Sequence, residues 1–139
     1  MEKTTKEKYK IAVIEDEEVV SKSLVEELQD SGFEAVTAFD GEAGLALVLK
    51  EKPDLVLLDI VMPKMDGMTM MQKLRESGEY GQHVPIILLT NLNADDRIMG
   101  GITQNQPSYY LVKSAYTLAD VVERVRHSLT EALSRHKKI

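Results

Sequence analysis

The chain has 139 residues, the size of one domain with a core of its own, so two fused enzymes are excluded. With 43% hydrophobic and 29% charged residues and only 8 Gly and 4 Pro, the composition is that of a globular protein and fits neither a disordered chain nor a fibrous repeat. Seventeen basic against 23 acidic residues give a net charge of −6, the wrong sign for a surface that binds nucleic acid by neutralising phosphates, and zero cysteines remove disulfides, zinc-thiolate sites, Fe–S clusters and thiol catalysis.

Residues 1–8 read as a polar lead-in, 9–134 as one unit and 135–139 as a basic tail. No apolar run approaches the roughly 20 residues of a membrane span, and MEKTTKEKYK lacks the apolar segment of a signal peptide, so the cytoplasm is the expected compartment. Short apolar runs rich in β-branched residues predict five strands: Lys10 to Ile14, Glu34 to Ala38, Asp54 to Leu58, Val84 to Leu89 and Tyr109 to Val112. They stand far enough apart for a crossover helix each time, which predicts repeated βαβ units and a mainly parallel sheet. The third run, LVLLD, is apolar without alternation, as a strand covered on both faces should be.

Between the strands, Val20, Leu24, Val25 and Leu28 mark one amphipathic helix, and Leu118, Val122, Val125, Leu129 and Leu133 mark the last. Ser31-Gly32 closes the first helix, Asp40-Gly41 precedes the second, and Asp66-Gly67 supplies turn chemistry at the start of the third. Asn93 to Thr103 predicts only a marginal fourth helix, because Gly100 and Gly101 each cost up to about 1 kcal/mol relative to Ala. Met62, Met65, Met68, Met70 and Met71 read as core and loop filling, and His83, His127 and His136 as exposed.

In doubly wound sheets ligands bind beyond the carboxyl ends of the strands. Those ends carry Glu15-Asp16-Glu17, Asp59, Thr90-Asn91 and Lys113-Ser114, while the second strand offers only Phe39 and Asp40. If they converge, two carboxylates about 4 Å apart repel by roughly 4 kcal/mol at an effective dielectric of 20, and the cluster demands a cation. Hard oxygen donors without His or Cys favour Mg²⁺. A metal, a lysine and a hydroxyl aimed at one point suit a phosphoryl group, with Asp59 as nucleophile.

Glu15-Asp16, LVLLDIVMPKMDG around Asp59, LLT ending at Thr90 and YLVK ending at Lys113 occur in that order, and over about Tyr9 to Leu133 the chain resembles the receiver domains of two-component response regulators. The resemblance implies a flavodoxin-like (βα)5 fold, a doubly wound five-stranded parallel sheet of order 2-1-3-4-5. It implies that Asp59 accepts a phosphoryl group from a histidine kinase or a histidine phosphotransfer protein. It also implies that Asp16, Asp59 and the backbone carbonyl of Val61 ligate Mg²⁺ with help from Glu15, that Thr90 and Lys113 hold phosphoryl oxygens, and that Tyr110 reports the switch. Output would pass by protein contacts through the fourth helix, fifth strand and fifth helix, with no direct nucleic-acid or membrane partner. The protein would be a signalling phosphoacceptor rather than an enzyme, either a single-domain regulator or a receiver excised from a longer chain.

Three departures from the family pattern are visible. Ser114 stands where the family has a proline in a cis peptide, and a cis bond without proline costs about 2.5 to 4 kcal/mol, so a trans bond is expected. Asn91 replaces the small residue usual after the threonine, and Val61 and Leu92 offer no polar side chain to steer a hydrolytic water, which predicts slow self-dephosphorylation. GGITQNQPSYY lacks the usual approach to the fifth strand. A phosphatase of the haloacid dehalogenase type would want a second aspartate where Val61 stands, and a flavodoxin-like carrier would meet repulsion from Glu15 to Glu18. A receiver that only docks partners is the remaining rival, and the complete acid and lysine set argues against it.

Overall fold

The structure, a computed structural model, describes the backbone of residues 8–60, 62, 64–90, 109–112 and 116–137, and the side chains of 8–60, 62, 64–89 and 116–132. The strands are β1 (Lys10–Ile14), β2 (Glu34–Ala38), β3 (Leu55–Leu58), β4 (Ile86–Thr90) and β5 (Tyr109–Val112). The helices are α1 (Glu18–Asp30), α2 (Gly41–Glu51), α3 (Gly67–Arg75), the five-residue α4 (Glu79–His83) and α5 (Leu118–Lys137). All strand pairs are parallel and their order is β2-β1-β3-β4-β5, as the resemblance implies. The predicted helix at Asn93 to Thr103 lies outside the described residues, as does the Lys113–Ser114 peptide.

Side chains alternate across the sheet and fill two cores. Ala12, Ile14, Val56, Leu58, Ile86 and Leu88 pack on one face with Val48 of α2 and Met70, Met71 and Leu74 of α3. Ile11, Val13, Leu55, Leu57, Ile87 and Leu89 pack on the other with Leu24 and Leu28 of α1 and Val121, Val122, Val125 and Leu129 of α5. LVLL lacks alternation because both faces of β3 are covered, whereas the edge strand β2 buries only Ala38 fully. Met62 joins the first core, and Met65 and Met68 pack against it. His83 and His127 are exposed, while the side chain of His136 lies outside the described residues.

Local chemistry sets the boundaries. Gly32 takes φ of 96° just past α1, a left-handed turn that glycine enters without Cβ strain. Asp40 caps α2 by accepting from the Ala43 amide at 2.7 Å, and Asp66 caps α3 by accepting from the Thr69 amide at 2.8 Å. Thr117 and Asp120 form a reciprocal capping box at the start of α5, both bonds 3.1 Å.

Two strands start later than predicted. Val84 is the C-cap of α4 and Pro85 follows it, so β4 begins at Ile86. Asp54 turns its side chain to the foot of β1, accepting from the Lys10 amide at 2.8 Å, while its own amide donates to the Lys10 carbonyl at 2.8 Å. Helix α4 is held mainly by its neighbours. Arg75 donates to the carbonyls of Gly81 (2.9 Å) and Val84 (2.7 Å), and the Tyr80 hydroxyl donates to the Pro53 carbonyl at 2.6 Å. Burial, then the nearby Asp54 carboxylate, pushes the Tyr80 phenol up, so it stays a neutral donor.

Candidate functional site

The carboxyl ends of β1 and β3 are neighbours, and their register ends at Ile14 opposite Leu58. The next residues, Glu15 and Asp59, therefore stand side by side. Their backbones continue the ladder: the Asp59 amide donates to the Ile14 carbonyl at 3.0 Å, and the Glu15 amide donates to the Ala38 carbonyl at 3.1 Å. Glu15 is 2% exposed and Asp59 7%, whereas the following Asp16 is exposed. Each of the three offers a carboxylate oxygen within 4.8 Å of the others.

The Glu15 carboxylate is aimed by the chain itself, since its Oε2 accepts from the Glu17 amide at 3.1 Å, where Glu17 is the N-cap residue of α1. Three negative groups at this spacing repel one another by roughly 3 to 4 kcal/mol per pair at an effective dielectric of 20. Cations relieve that repulsion. The donor set fits Mg²⁺: the grouped atoms are hard carboxylate oxygens, the group contains no His or Cys, and the exposed Asp16 leaves room for waters.

Of the predicted site residues, Glu15, Asp16 and Asp59 come together. Thr90 is the last residue of β4, paired with Val112, and Tyr110 lies in β5 opposite Leu88; their side chains are outside the described residues. Val61 and Lys113 also lie outside them. Asp40, read from the sequence as a strand-end residue that precedes the second helix, is the cap of α2.

Two glycines that the sequence marks only as turn and helix-start residues lie against the segment that leaves β3. A Cβ on Gly67 would overlap the Asp59 carbonyl, and one on Gly41 would overlap the Met65 carbonyl. The only sequence signal for them was the repeated Asp-Gly pair at 40–41 and 66–67.

The model of the response regulator receiver domain matches residues 11–126. The chain belongs to that family. A "Probable transcriptional regulator ycf27" of Porphyridium aerugineum is 42% identical over 95 residues, 68% of this chain and 38% of that protein. The receiver thus spans well under half the length of that relative. The BeF3-activated N-terminal receiver domain of Klebsiella pneumoniae RstA has 32% identity and a TM-score of 0.75, over 86% of this chain and 97% of that one. A CheY-like receiver domain protein from Methanospirillum hungatei reaches a TM-score of 0.83 at 22% identity, over 91% of this chain and 98% of that one, a likeness of fold.

Receiver domains are signalling regulators of two-component systems, and they interact with kinases and downstream effectors. The hydrolase and electron-carrier readings fall with this membership. Among the described residues, no helix is long and apolar enough to cross a membrane.

Proposed function

We propose that this receiver takes a phosphoryl group onto Asp59 from a histidine kinase or a histidine phosphotransfer protein, in a Mg²⁺-dependent reaction, and signals by protein contacts. The observation that carries the reading is the gathering of Glu15, Asp16 and Asp59 within 4.8 Å at the carboxyl edge of a parallel sheet. Asp59 and Asp16, with the backbone carbonyl of Val61, would hold the ion, and Glu15 would orient its water. Once bound, Mg²⁺ supplies positive charge to the phosphoryl oxygens.

An oxygen of the Asp59 carboxylate attacks phosphorus in line while the bond from phosphorus to the donor nitrogen breaks. The electron pair of that bond leaves with the imidazole, which takes a proton from solvent. Thr90 and Lys113 hold the phosphoryl oxygens, and Tyr110 follows the change in rotamer. The face built from the segment Asn93 to Thr103, β5 and α5 carries the signal to a downstream protein. The same reading takes 9–134 as the receiver unit, 1–8 as a lead-in and 135–139 as a tail. It also gives the Lys113–Ser114 peptide a trans bond and assigns the chain to the cytoplasm.

The test is intact-mass measurement after incubation with Mg²⁺ and acetyl phosphate, a donor whose P–O bond replaces the P–N bond. One added phosphoryl group on the wild type, absent from Asp59→Asn, is expected. Steady phosphate release with many turnovers, or no adduct at all, overturns the phosphoacceptor reading; the latter outcome leaves a receiver that only docks partners.

A further inference from the structure

Helices α2 and α3 cover the same face of the sheet and begin alike. Each opens on Asp-Gly, the aspartate caps the helix, and the glycine is its first residue. Each glycine also lies against the backbone of the segment that leaves β3. At its base, Gly67 is pressed on the Asp59 carbonyl, and its amide donates to the Ile60 carbonyl at 2.7 Å, which brings position 67 back against position 60. At the far side of that segment, Gly41 is pressed on the Met65 carbonyl. Lys64, beside Met65, holds φ of 67° with its ammonium 3.9 Å from the Asp40 carboxylate. Backbone atoms cannot swing aside as a side-chain tip can, so both contacts fix where the loop lies.

We propose that Gly41 is a positioning residue for Asp59: the start of α2, seated on the Met65 carbonyl, is the stop against which the acceptor loop rests. Gly41 acts through the loop, which ties the placement of the Asp59 carboxylate toward Glu15 and Asp16 to the docking of α2. This inference rests on the phosphoacceptor reading. A side chain at position 41 must move the helix or the loop, and a misplacement of about 1 Å in a reacting group can lower a rate as much as a hundredfold.

Gly81 supplies the matched control. A Cβ there would overlap the Leu74 carbonyl, the same kind of clash, but in α4, which leads into the start of β4 at the opposite edge of the sheet.

The experiment follows acetyl phosphate labelling by intact mass and Mg²⁺ binding by calorimetry, for wild type, Gly41→Ala, Asp40→Ala and Gly81→Ala. Circular dichroism sets a temperature at which the variants are folded. Gly41→Ala is expected to label about tenfold slower and to bind Mg²⁺ several-fold more weakly. Asp40→Ala, which loses the cap of α2 and the partner of Lys64, is expected to move both readouts the same way by about threefold. Gly81→Ala is expected to match the wild type in both. Gly41→Ala matching Gly81→Ala in rate and affinity overturns the proposal. Should Gly41→Ala fail to fold, Asp40→Ala with wild-type rate and affinity overturns it. A wild type that takes no label defeats the phosphoacceptor reading instead, and the Mg²⁺ affinities then decide the role of Gly41 alone.

Discussion

The amide of Asp59 donates to the carbonyl of Ile14 across 3.0 Å, one step beyond the last paired residues of β1 and β3. The backbone of Asp59 is thus fixed by the central ladder, while its side chain joins two carboxylates from the end of the neighbouring strand. Its place depends on the sheet as much as on the loop that follows.

Because the folded chain gathers charges that the unfolded chain disperses, Mg²⁺ should stabilise the native state. At a hundred times its dissociation constant the gain is about 2.7 kcal/mol, roughly 8 °C in Tm for a domain of this size. Thermal unfolding in EDTA and in Mg²⁺ measures it. Asp16→Asn and Asp59→Asn should each lose most of the shift, and Ca²⁺ should give a smaller one. An unshifted wild-type Tm would contradict the proposed metal site.

A phosphoryl group on Asp59 should persist. With Val61 and Leu92 offering no polar side chain to steer an attacking water, the half-life of the purified phosphoprotein should exceed minutes. A decay over seconds, followed by intact mass after removal of the donor, would disprove this.

The pair Lys10 and Glu51, 3.0 Å apart, predicts a weak pH dependence with a definite sign. Hydrogen bonding and the charge of Lys10 hold the Glu51 carboxyl below its ordinary value of 4.5, so its contribution is present above that pH and is lost as pH falls through the folded value. Hydrogen bonding and the charge of Glu51 hold the Lys10 ammonium above its ordinary 10.5. Its contribution is complete below that pH and disappears as pH rises through the folded value. Glu51→Gln should flatten the acid limb of a stability-versus-pH curve, and added salt should shrink the difference.

Arg75 predicts a larger effect far from the carboxylates. Its guanidinium donates to the carbonyls of Gly81 and Val84, and burial lowers its pKa from the ordinary arginine value. Arg75→Met should cost about 2 to 3 kcal/mol by leaving those carbonyls short of a donor. Arg75→Lys should recover only part of this, because an ammonium does not reproduce the spread of the guanidinium. Denaturant midpoints measure the loss, and acetyl phosphate labelling should stay at the wild-type rate.

Strand positions were legible where tertiary structure agreed with local pattern: β1, β2 and β5 fall on the residues that the apolar runs predict. Helix α4 was not. EYGQH is too short for a helical period and is flanked by Gly78, and its order comes from Arg75, Tyr80 and the close seat of Gly81 on Leu74, contacts between residues that no local pattern links. The acidic residues of the candidate site were legible because strand ends in a parallel sheet converge. Their environments were not, since nothing in Glu15-Asp16 says that the first is buried and the second exposed. The roles of Gly41 and Gly67 were hidden for a related reason: a missing side chain signals a close approach only once the approaching backbone is known.

The uniform apolarity of LVLL leaves one question that Asp54 answers. A strand whose residues are all at home on either face could slide by one position with little loss of burial, and Asp59 would then be carried out of reach of Glu15 and Asp16. Its foot is pinned: Asp54 grips the Lys10 backbone at both amide and carbonyl, each bond 2.8 Å. One aspartate thus acts as the zero mark of a ruler, and the four leucine and valine residues between it and Asp59 measure out where the other falls.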